Sequence, residues 1–176
     1  ERGSIFQSSS DSECIIHLMA RSLQRNIPER MEDALRRVEG AFSVVAMTRT
    51  KLIGVRDPLG VRPLVLGKIG DGWALSSETC ALDIIGAEFV REIKPGEMVV
   101  IQNSGVESHF PFKPQNSRFC IFEHVYFSRP DSIIGGHSVY ETRRQIGVEL
   151  AKESPVAADL VCPVPDSGTP AAIGFS

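Results

Sequence analysis

Seven short runs rich in Val, Ile and Phe occupy residues 41–110 and constrain the fold more than any other feature of the sequence. Turn residues separate the runs, most clearly at 70–72, 94–97 and 103–105. Short apolar runs bounded by Gly, Pro, Asn and Asp are typical of antiparallel strands. The predicted strands are 41–48, 51–55, 63–69, 73–76, 89–93, 98–102 and 106–110.

Two helices are predicted ahead of these strands. Ser10 and Glu13 have the spacing of a capping box, and apolar residues at four-residue intervals then predict a helix over 11–25. The second helix has Pro28 in its first turn and ends before Gly40, and a third, short helix is predicted over 78–85. Helices that cover antiparallel sheets indicate a layered α+β domain.

Composition excludes several classes of protein. Of the 176 residues, 42% are hydrophobic and 23% are charged, and the formal net charge is -3. No apolar run approaches the roughly 20 residues that span a bilayer, and no basic run offers a surface for nucleic acid. We therefore expect no membrane partner and no nucleic-acid partner. The four cysteines are widely separated, which fits a reducing, cytoplasmic location best.

The character of the sequence changes at 111–117, where a polar stretch with two prolines indicates a linker. The predicted domains are therefore 1–114 and 115–176. Beyond the linker we predict an amphipathic helix over 138–153, a buried strand over 158–164 and a further helix after a loop. The order helix, strand, loop, helix is typical of the start of a parallel α/β domain.

Residues 56–67 form a distinctive corner. Asp57-Pro58 opens a turn, Gly60 relieves the backbone, and Pro63 restarts an extended segment. From the residues alone, this is a hairpin corner with a surface ion pair. The pattern Arg-Asp-x-x-Gly-x-x-Pro-Leu, however, resembles the signature of class II glutamine amidotransferase domains. That resemblance implies the αββα sandwich of the N-terminal-nucleophile (Ntn) hydrolases.

Two further segments indicate which family of class II glutamine amidotransferases the chain resembles. Residues 119–132 are similar to the junction segment of the amidophosphoribosyltransferase family, also called glutamine phosphoribosylpyrophosphate amidotransferases. Residues 164–168 are similar to the pyrophosphate loop that opens the family's type I phosphoribosyltransferase domain. The resemblance implies an internal fragment of a cytoplasmic, homo-oligomeric glycosyltransferase. That enzyme converts phosphoribosyl pyrophosphate and glutamine to 5-phosphoribosylamine, glutamate and pyrophosphate, the first committed step of de novo purine biosynthesis.

Two other interpretations stay open at this point. One is another class II glutamine amidotransferase, such as glucosamine-6-phosphate synthase or asparagine synthetase, because the corner would look similar there. The other is a non-catalytic binding or regulatory module derived from such an enzyme. The second is motivated by the missing nucleophile, since the family uses an N-terminal Cys and this chain starts with Glu1. The resemblance implies that this Cys precedes Glu1, so no residue here is predicted to be catalytic and the fragment alone is expected to be inactive.

Asp11 is the predicted glutamine-binding residue. Its position at a helix start is explained equally well by capping. The stretch 8–13 nevertheless resembles the family segment whose Asp binds the α-amino group of glutamine. A carboxylate and an ammonium group form a charge-assisted hydrogen bond, so the implied role is chemically sound.

The segment that resembles the pyrophosphate loop contains three residues that are predicted to bind pyrophosphate, namely Asp166, Ser167 and Gly168. Backbone N–H groups at a helix start suit an anion, and the resemblance implies that Ser167 also contributes to a Mg²⁺ site. In a purely structural interpretation, Asp166 or Ser167 caps the helix and Pro170 lies in its first turn.

Cys120 has two interpretations. Its neighbours Phe119, Ile121 and Phe122 favour a buried apolar thiol. The resemblance implies a ligand of a [4Fe-4S] cluster, which some members of the family carry and others lack. The four histidines have no metal-ligand spacing and are assigned no chemistry.

Overall fold

A computed structural model describes residue 3 and residues 5–176. Two antiparallel sheets form the first part of the chain, one with the strand order β1-β2-β6-β7 and the other with the order β4-β3-β5. Their strands are β1 Ser43–Met47, β2 Leu52–Arg56, β3 Val65–Ile69, β4 Gly72–Ser76, β5 Glu88–Glu92, β6 Met98–Gln102 and β7 Gly105–His109. All seven predicted strands are confirmed, each end lying within two residues of its prediction.

Helices cover the outer faces of the two sheets. Helix α1, Glu13–Arg21, and helix α2, Ile27–Leu35, pack on the four-stranded sheet through an apolar cluster that includes Met31, Leu35 and Ile53. Helix α3, Thr79–Ile84, packs on the three-stranded sheet through Leu82. The layer order is therefore helix, sheet, sheet, helix, which confirms the predicted αββα sandwich.

The sheets are held face to face by side chains that alternate along the central strands. Met98 and Val100 of β6 point toward α1 and α2, whereas Val99 and Ile101 point toward the second sheet. A strand buried on both faces has a continuous apolar sequence, which explains the run from Met98 to Ile101. Gly54 of β2 lies where the two sheets approach closely, since a Cβ there would come within 2.7 Å of the Leu75 side chain.

Glu97 connects the two sheets at one edge through polar contacts. Only 1% of its surface is exposed, yet it accepts hydrogen bonds from both Arg91 terminal nitrogens at 2.9 and 2.7 Å. Ser108 Oγ and the Lys94 backbone N–H donate to it at 2.7 Å each. Burial alone would raise the pKa of Glu97, but these donors outweigh burial and hold the pKa below its ordinary value of 4.5.

We expect Glu97→Gln to lower the free energy of unfolding by about 2 kcal/mol at pH 7, because a buried charge-assisted network is lost. A carboxyl group with a depressed folded-state pKa stabilises the fold fully above its unfolded pKa. That contribution is lost as pH falls through the folded pKa. Urea unfolding at pH 7, 5, 4 and 3 should therefore show the difference between wild type and variant shrinking below pH 4.5. A difference that is constant across this range would contradict the assignment.

Helices are the main regular elements in the rest of the chain. A π-helix spans Glu123–Phe127, a two-stranded hairpin joins β8 Ile133–Ile134 to β9 His137–Ser138, and two helices follow, α4 Val139–Glu153 and α5 Gly168–Phe175. Helix α4 confirms the prediction over 138–153, with Ser138 as its N-cap. None of the described helices is long and apolar enough to cross a membrane. The domain boundary after residue 114 stays a prediction.

Three local predictions are wrong. The strand predicted over 158–164 does not form, since an extended segment becomes a strand only when a neighbouring strand accepts its hydrogen bonds. Helix α1 ends at Arg21 rather than near 25, because the chain turns before the Asn26 cap of α2, and Leu23 is exposed. The capping box is also absent, because the Glu13 carboxylate accepts from the Gln7 and Ser8 backbone instead of from Ser10.

Candidate functional site

The corner at residues 56–64 connects strand β2 of one sheet to strand β3 of the other. Asp57 is fully buried and accepts hydrogen bonds from the backbone N–H groups of Leu59 at 2.9 Å and Val61 at 3.1 Å. Gly60 has a φ of +59° and lies against Pro95, so a side chain there would be both strained and crowded. The Asp57 hydrogen bonds and the conformation of Gly60 therefore fix the backbone of the corner.

Arg56 is buried beneath this corner. Its guanidinium group donates to the carbonyl oxygens of Arg62 at 2.7 Å, Ile93 at 2.8 Å and Gly60 at 3.0 Å. Glu92 lies 3.8 Å away as an ion-pair partner. The interpretation of this corner as carrying a surface ion pair is thus wrong. Arg56 is a structural cation that satisfies backbone carbonyls where the two sheets meet.

Asp11 lies on the turn that leads into α1, and its side chain is exposed. Its backbone carbonyl accepts from Cys14, but among the described residues its carboxylate accepts no hydrogen bond. Helix α1 also has no side-chain cap at Ser12. The capping interpretation of Asp11 is therefore unsupported, and the carboxylate is free to bind a cationic group.

Glu13 holds the backbone just ahead of Asp11. Its carboxylate accepts from the backbone N–H groups of Gln7 and Ser8 at 2.8 Å each and from Ser8 Oγ at 2.6 Å. The Ser8 hydroxyl, followed by these N–H groups, lowers the pKa of Glu13 from 4.5 to about 2. Glu13 therefore stays ionised and keeps the loop of Asp11 folded back on α1.

The loop at 164–168 enters helix α5. The N–H of Gly168 donates to the Val164 carbonyl and that of Thr169 to the Asp166 carbonyl, both at 3.2 Å, and the peptide bond between Pro165 and Asp166 is cis. Asp166 is exposed, Ser167 is half-buried, and Ser167 makes no side-chain capping bond. Capping by Ser167 is therefore not observed. Within the described residues, no hydrogen bond or ion pair joins this loop to the stretch 8–13.

The junction segment packs against the sandwich through partners that the sequence did not reveal. The Arg129 backbone N–H and the Ser132 hydroxyl donate to Glu78 at 2.8 and 2.7 Å. Glu123 is buried in the π-helix, accepts from Ser128 Oγ at 2.6 Å and lies 2.9 Å from Arg62 Nε. In the sequence, Glu123 could have indicated this packing, because it is a charged residue within the aromatic run at 119–127.

His124, the next residue of the π-helix, is buried with its Nδ1 unpartnered among the described groups. Its ring makes an edge contact with Phe119 at a centroid distance of 5.7 Å. Burial lowers the pKa of His124 below 6.5, and electrostatic interactions with His137 and Arg143 lower it further, although Glu123 opposes them. The imidazole is therefore neutral at pH 7.

The described residues contain no group of three or more His, Cys, Asp or Glu side chains that could hold a metal ion. Cys120 is half-buried and is not in a disulfide, and Ser167 is half-buried just ahead of α5. Each can supply one ligand to a metal centre. A complete centre would need further donors in both cases.

Comparison with known proteins identifies the class first. A protein-family model described as a glutamine amidotransferase domain matches residues 1–83. This match covers α1, α2, strands β1 to β4, the corner and most of α3, whereas strands β5 to β7 of the two sheets lie beyond it. Together, the layers and the match define this part of the chain as a glutamine amidotransferase domain.

Relatives then define the family. The chain is 54% identical to an amidophosphoribosyltransferase of Rhizobium etli over 99% of its length, and 44% identical to that of Bacillus subtilis over 99%. A solved structure of the Bacillus subtilis glutamine phosphoribosylpyrophosphate amidotransferase, complexed with ADP and GMP, superposes with a TM-score of 0.94 over 98% of the chain. The chain belongs to the amidophosphoribosyltransferase family.

Coverage of these relatives is partial. The chain spans 36% of the Rhizobium etli protein, 37% of the Bacillus subtilis protein and 38% of the solved chain. The matches run through residues 115–176 as well as through the corner. They therefore favour this family over the other class II amidotransferases that share the corner.

Proposed function

We propose that the complete protein converts phosphoribosyl pyrophosphate and glutamine to 5-phosphoribosylamine, glutamate and pyrophosphate, as the first committed step of de novo purine biosynthesis. The observation that carries this proposal is the superposition, at a TM-score of 0.94, on a structure named glutamine phosphoribosylpyrophosphate amidotransferase. In the first half-reaction, water hydrolyses the glutamine side-chain amide to glutamate and ammonia. The ammonia nitrogen then forms a bond to C1 of the ribose as the C1–O bond to pyrophosphate breaks.

Asp11 would bind the α-amino group of glutamine in the first half-reaction. Its exposed carboxylate has no hydrogen-bond donor among the described residues, and Glu13 holds the loop that carries it. An ionised carboxylate facing an ammonium group would select glutamine over uncharged amides. The role is one of binding, since the nucleophilic Cys of the family has no counterpart among these residues.

Asp166, Ser167 and Gly168 would hold pyrophosphate in the second half-reaction. Their loop leads directly into α5, where the helix dipole favours an anion. Ser167 would contribute its hydroxyl to a Mg²⁺ ion, which would stabilise the charge of the leaving pyrophosphate. The ion would take its remaining ligands from the substrate and from other groups.

Cys120 would contribute one thiolate to a [4Fe-4S] cluster. Its half-buried position is compatible with a cluster ligand, and three further thiolates would be required. We also propose that the protein acts in the cytoplasm as a homo-oligomer.

The proposed function is tested by assaying the full-length protein for release of glutamate and pyrophosphate. Glutamine and phosphoribosyl pyrophosphate together should yield both products, and ammonia should replace glutamine as the nitrogen source. A protein that releases no pyrophosphate with either nitrogen source would contradict the proposal and favour a non-catalytic module.

Asp11→Asn should separate the two half-reactions. We expect the variant to lose about tenfold or more in kcat/KM for glutamine, because a charge-assisted hydrogen bond to the substrate is removed. Ammonia-dependent pyrophosphate release should stay within about twofold of wild type, since that reaction does not use the glutamine site. Equal loss of both activities would instead indicate that Asp11 supports folding.

A further inference from the structure

One side chain, that of Glu13, closes the loop that carries Asp11. Glu13 is the first residue of α1, and its two carboxylate oxygens accept separately, Oε1 from the Gln7 backbone N–H and Oε2 from the Ser8 backbone N–H. These donors lie six and five residues ahead of Glu13 along the chain. A contact between the two ends of a short loop removes conformational freedom from the residues between them.

The backbone on both sides of Asp11 is also held by hydrogen bonds. Ahead of it, Ser8 Oγ accepts from the Ser10 backbone N–H at 3.2 Å, and the Ser10 hydroxyl lies 2.6 Å from that of Ser12. The carbonyl of Asp11 itself accepts from the Cys14 backbone N–H at 3.1 Å. Asp11 therefore lies in a loop of fixed backbone, whereas its side chain is exposed.

Helix α1 connects this loop to the sandwich. Ile15 is buried in the apolar cluster of the four-stranded sheet, and Leu18 packs against the same cluster. Ahead of the helix, the Phe6 ring makes an edge contact with His17 at a centroid distance of 4.7 Å, and His17 Nε2 lies 3.5 Å from Glu13 Oε1. The segment that Glu13 binds is therefore attached along the first turns of a helix that is itself packed on the sheet.

We propose that Glu13 is a positioning residue that sets the affinity for glutamine by holding Asp11 in its binding conformation. This inference rests on the proposed function, in which Asp11 binds the α-amino group. A carboxylate that is already held in place binds more tightly than one that must first be ordered, because ordering costs binding free energy. The Glu13 carboxylate is occupied by Gln7 and Ser8, so it acts on glutamine through Asp11.

The experiment uses the full-length protein with Glu13→Gln, Asp11→Asn and the double variant. Glu13→Gln keeps the size of the side chain but replaces one acceptor oxygen by an NH2 group, which cannot accept from a backbone N–H. Glu29→Gln is the matched control, because Glu29 is an exposed acidic residue in the first turn of the neighbouring helix α2.

Three quantities are measured for each protein. The first is kcat and KM for glutamine, from glutamate release. The second is ammonia-dependent pyrophosphate release, which does not use the glutamine site. The third is amide hydrogen exchange at residues 7 and 8, which reports on the loop without any assay of activity.

We expect Glu13→Gln to raise KM for glutamine about tenfold with kcat within about twofold of wild type, because binding is lost equally in the ground state and the transition state. In the Asp11→Asn background the same change should raise KM by less than about twofold, since residues that act through one contact are not additive. Exchange at residues 7 and 8 should become about tenfold faster or more. Ammonia-dependent release should stay within about twofold, and Glu29→Gln should match wild type throughout.

Ser8→Ala is a milder second variant, which removes one of the three donors to Glu13 and decides the question if Glu13→Gln does not fold. It should raise KM by about two- to tenfold, the range expected for one neutral hydrogen bond, and again only where Asp11 is present.

An unchanged KM in folded Glu13→Gln would overturn the inference. A rise by the same factor with and without Asp11 would also overturn it, because Glu13 would then act independently of Asp11. An equal fall in ammonia-dependent release would show that Glu13 supports the fold as a whole, which is a third way to overturn it. Wild-type protein that releases no glutamate from glutamine would overturn the proposed function as well, whereas the other three results leave that function intact.

Discussion

Arg56→Met should lower the free energy of unfolding by about 3–5 kcal/mol, the largest effect that we expect for one side chain of the sandwich. Methionine fills a similar volume but donates no hydrogen bonds. The carbonyls of Arg62, Ile93 and Gly60 would lose their donors, and each unsatisfied buried acceptor costs about 1–3 kcal/mol. Urea unfolding followed by the fluorescence of Trp73, the only tryptophan in the sequence, measures the change.

Arg129→Met is the control for this variant. Arg129 pairs with Asp131 at 2.8 Å, but both side chains are more than half exposed, and such pairs contribute less than about 1 kcal/mol. An Arg56→Met variant as stable as the Arg129→Met variant would show that water reaches the corner. The conclusion that Arg56 is a buried structural cation would then be wrong.

Substitution of either glycine at the crossing of α4 and α5 should separate the two helices. In Gly147→Ala the new methyl group would meet the Ala171 backbone, and in Gly174→Ala it would meet the Arg144 backbone. Backbone atoms cannot rotate away as side chains do, so we expect a destabilisation of about 1–3 kcal/mol or more. This loss exceeds the gain of up to about 1 kcal/mol that alanine brings to a helix.

Amide hydrogen exchange along α5 is the measurement for both glycine variants. Protection of α5 should fall by about tenfold or more, whereas the strands of the sandwich should keep theirs, because local opening of the helix pair does not require the sheets to unfold. Gly168→Ala, at the start of the same helix, is the control, since the nearest atom to a new Cβ there is 3.9 Å away. Equal loss of α5 protection on substitution at positions 147, 168 and 174 would contradict the backbone contact between α4 and α5.

The seven strands were predictable because each has its own turn residues and a composition suited to burial. Pairing was not predictable from those local signals. Nothing in the run at 98–102 alone indicates that it lies between β2 and β7, since register and neighbours depend on contacts between distant residues. The buried strand predicted over 158–164 failed for the same reason, because an apolar run supplies neither a ladder partner nor the layers that would bury it, and Leu160 and Val164 are 81% and 83% exposed.

Some residues of the candidate site were likewise predictable from the sequence, and others were not. Asp11, Asp166, Ser167 and Gly168 were found from short motifs, and the structure places each of them in a loop or at a helix start. The role of Arg143 was missed, because the His124 and Ser128 carbonyls that it binds are 19 and 15 residues away and only the packing of α4 on the π-helix brings them together. Arg56 was found, but its burial was not, since that burial depends on the folded corner and on the distant Ile93 carbonyl.

The sequence alone thus determined the kinds of element, most of their bounds and the motifs that mark the family, because turn chemistry and side-chain periodicity act over a few neighbouring residues. Only the tertiary structure decided that the Arg-Asp corner is buried, that Glu97 joins the two sheets and that two glycines allow α4 and α5 to touch. These features depend on desolvation and close packing between distant segments. Both effects arise only after the chain has brought those segments together.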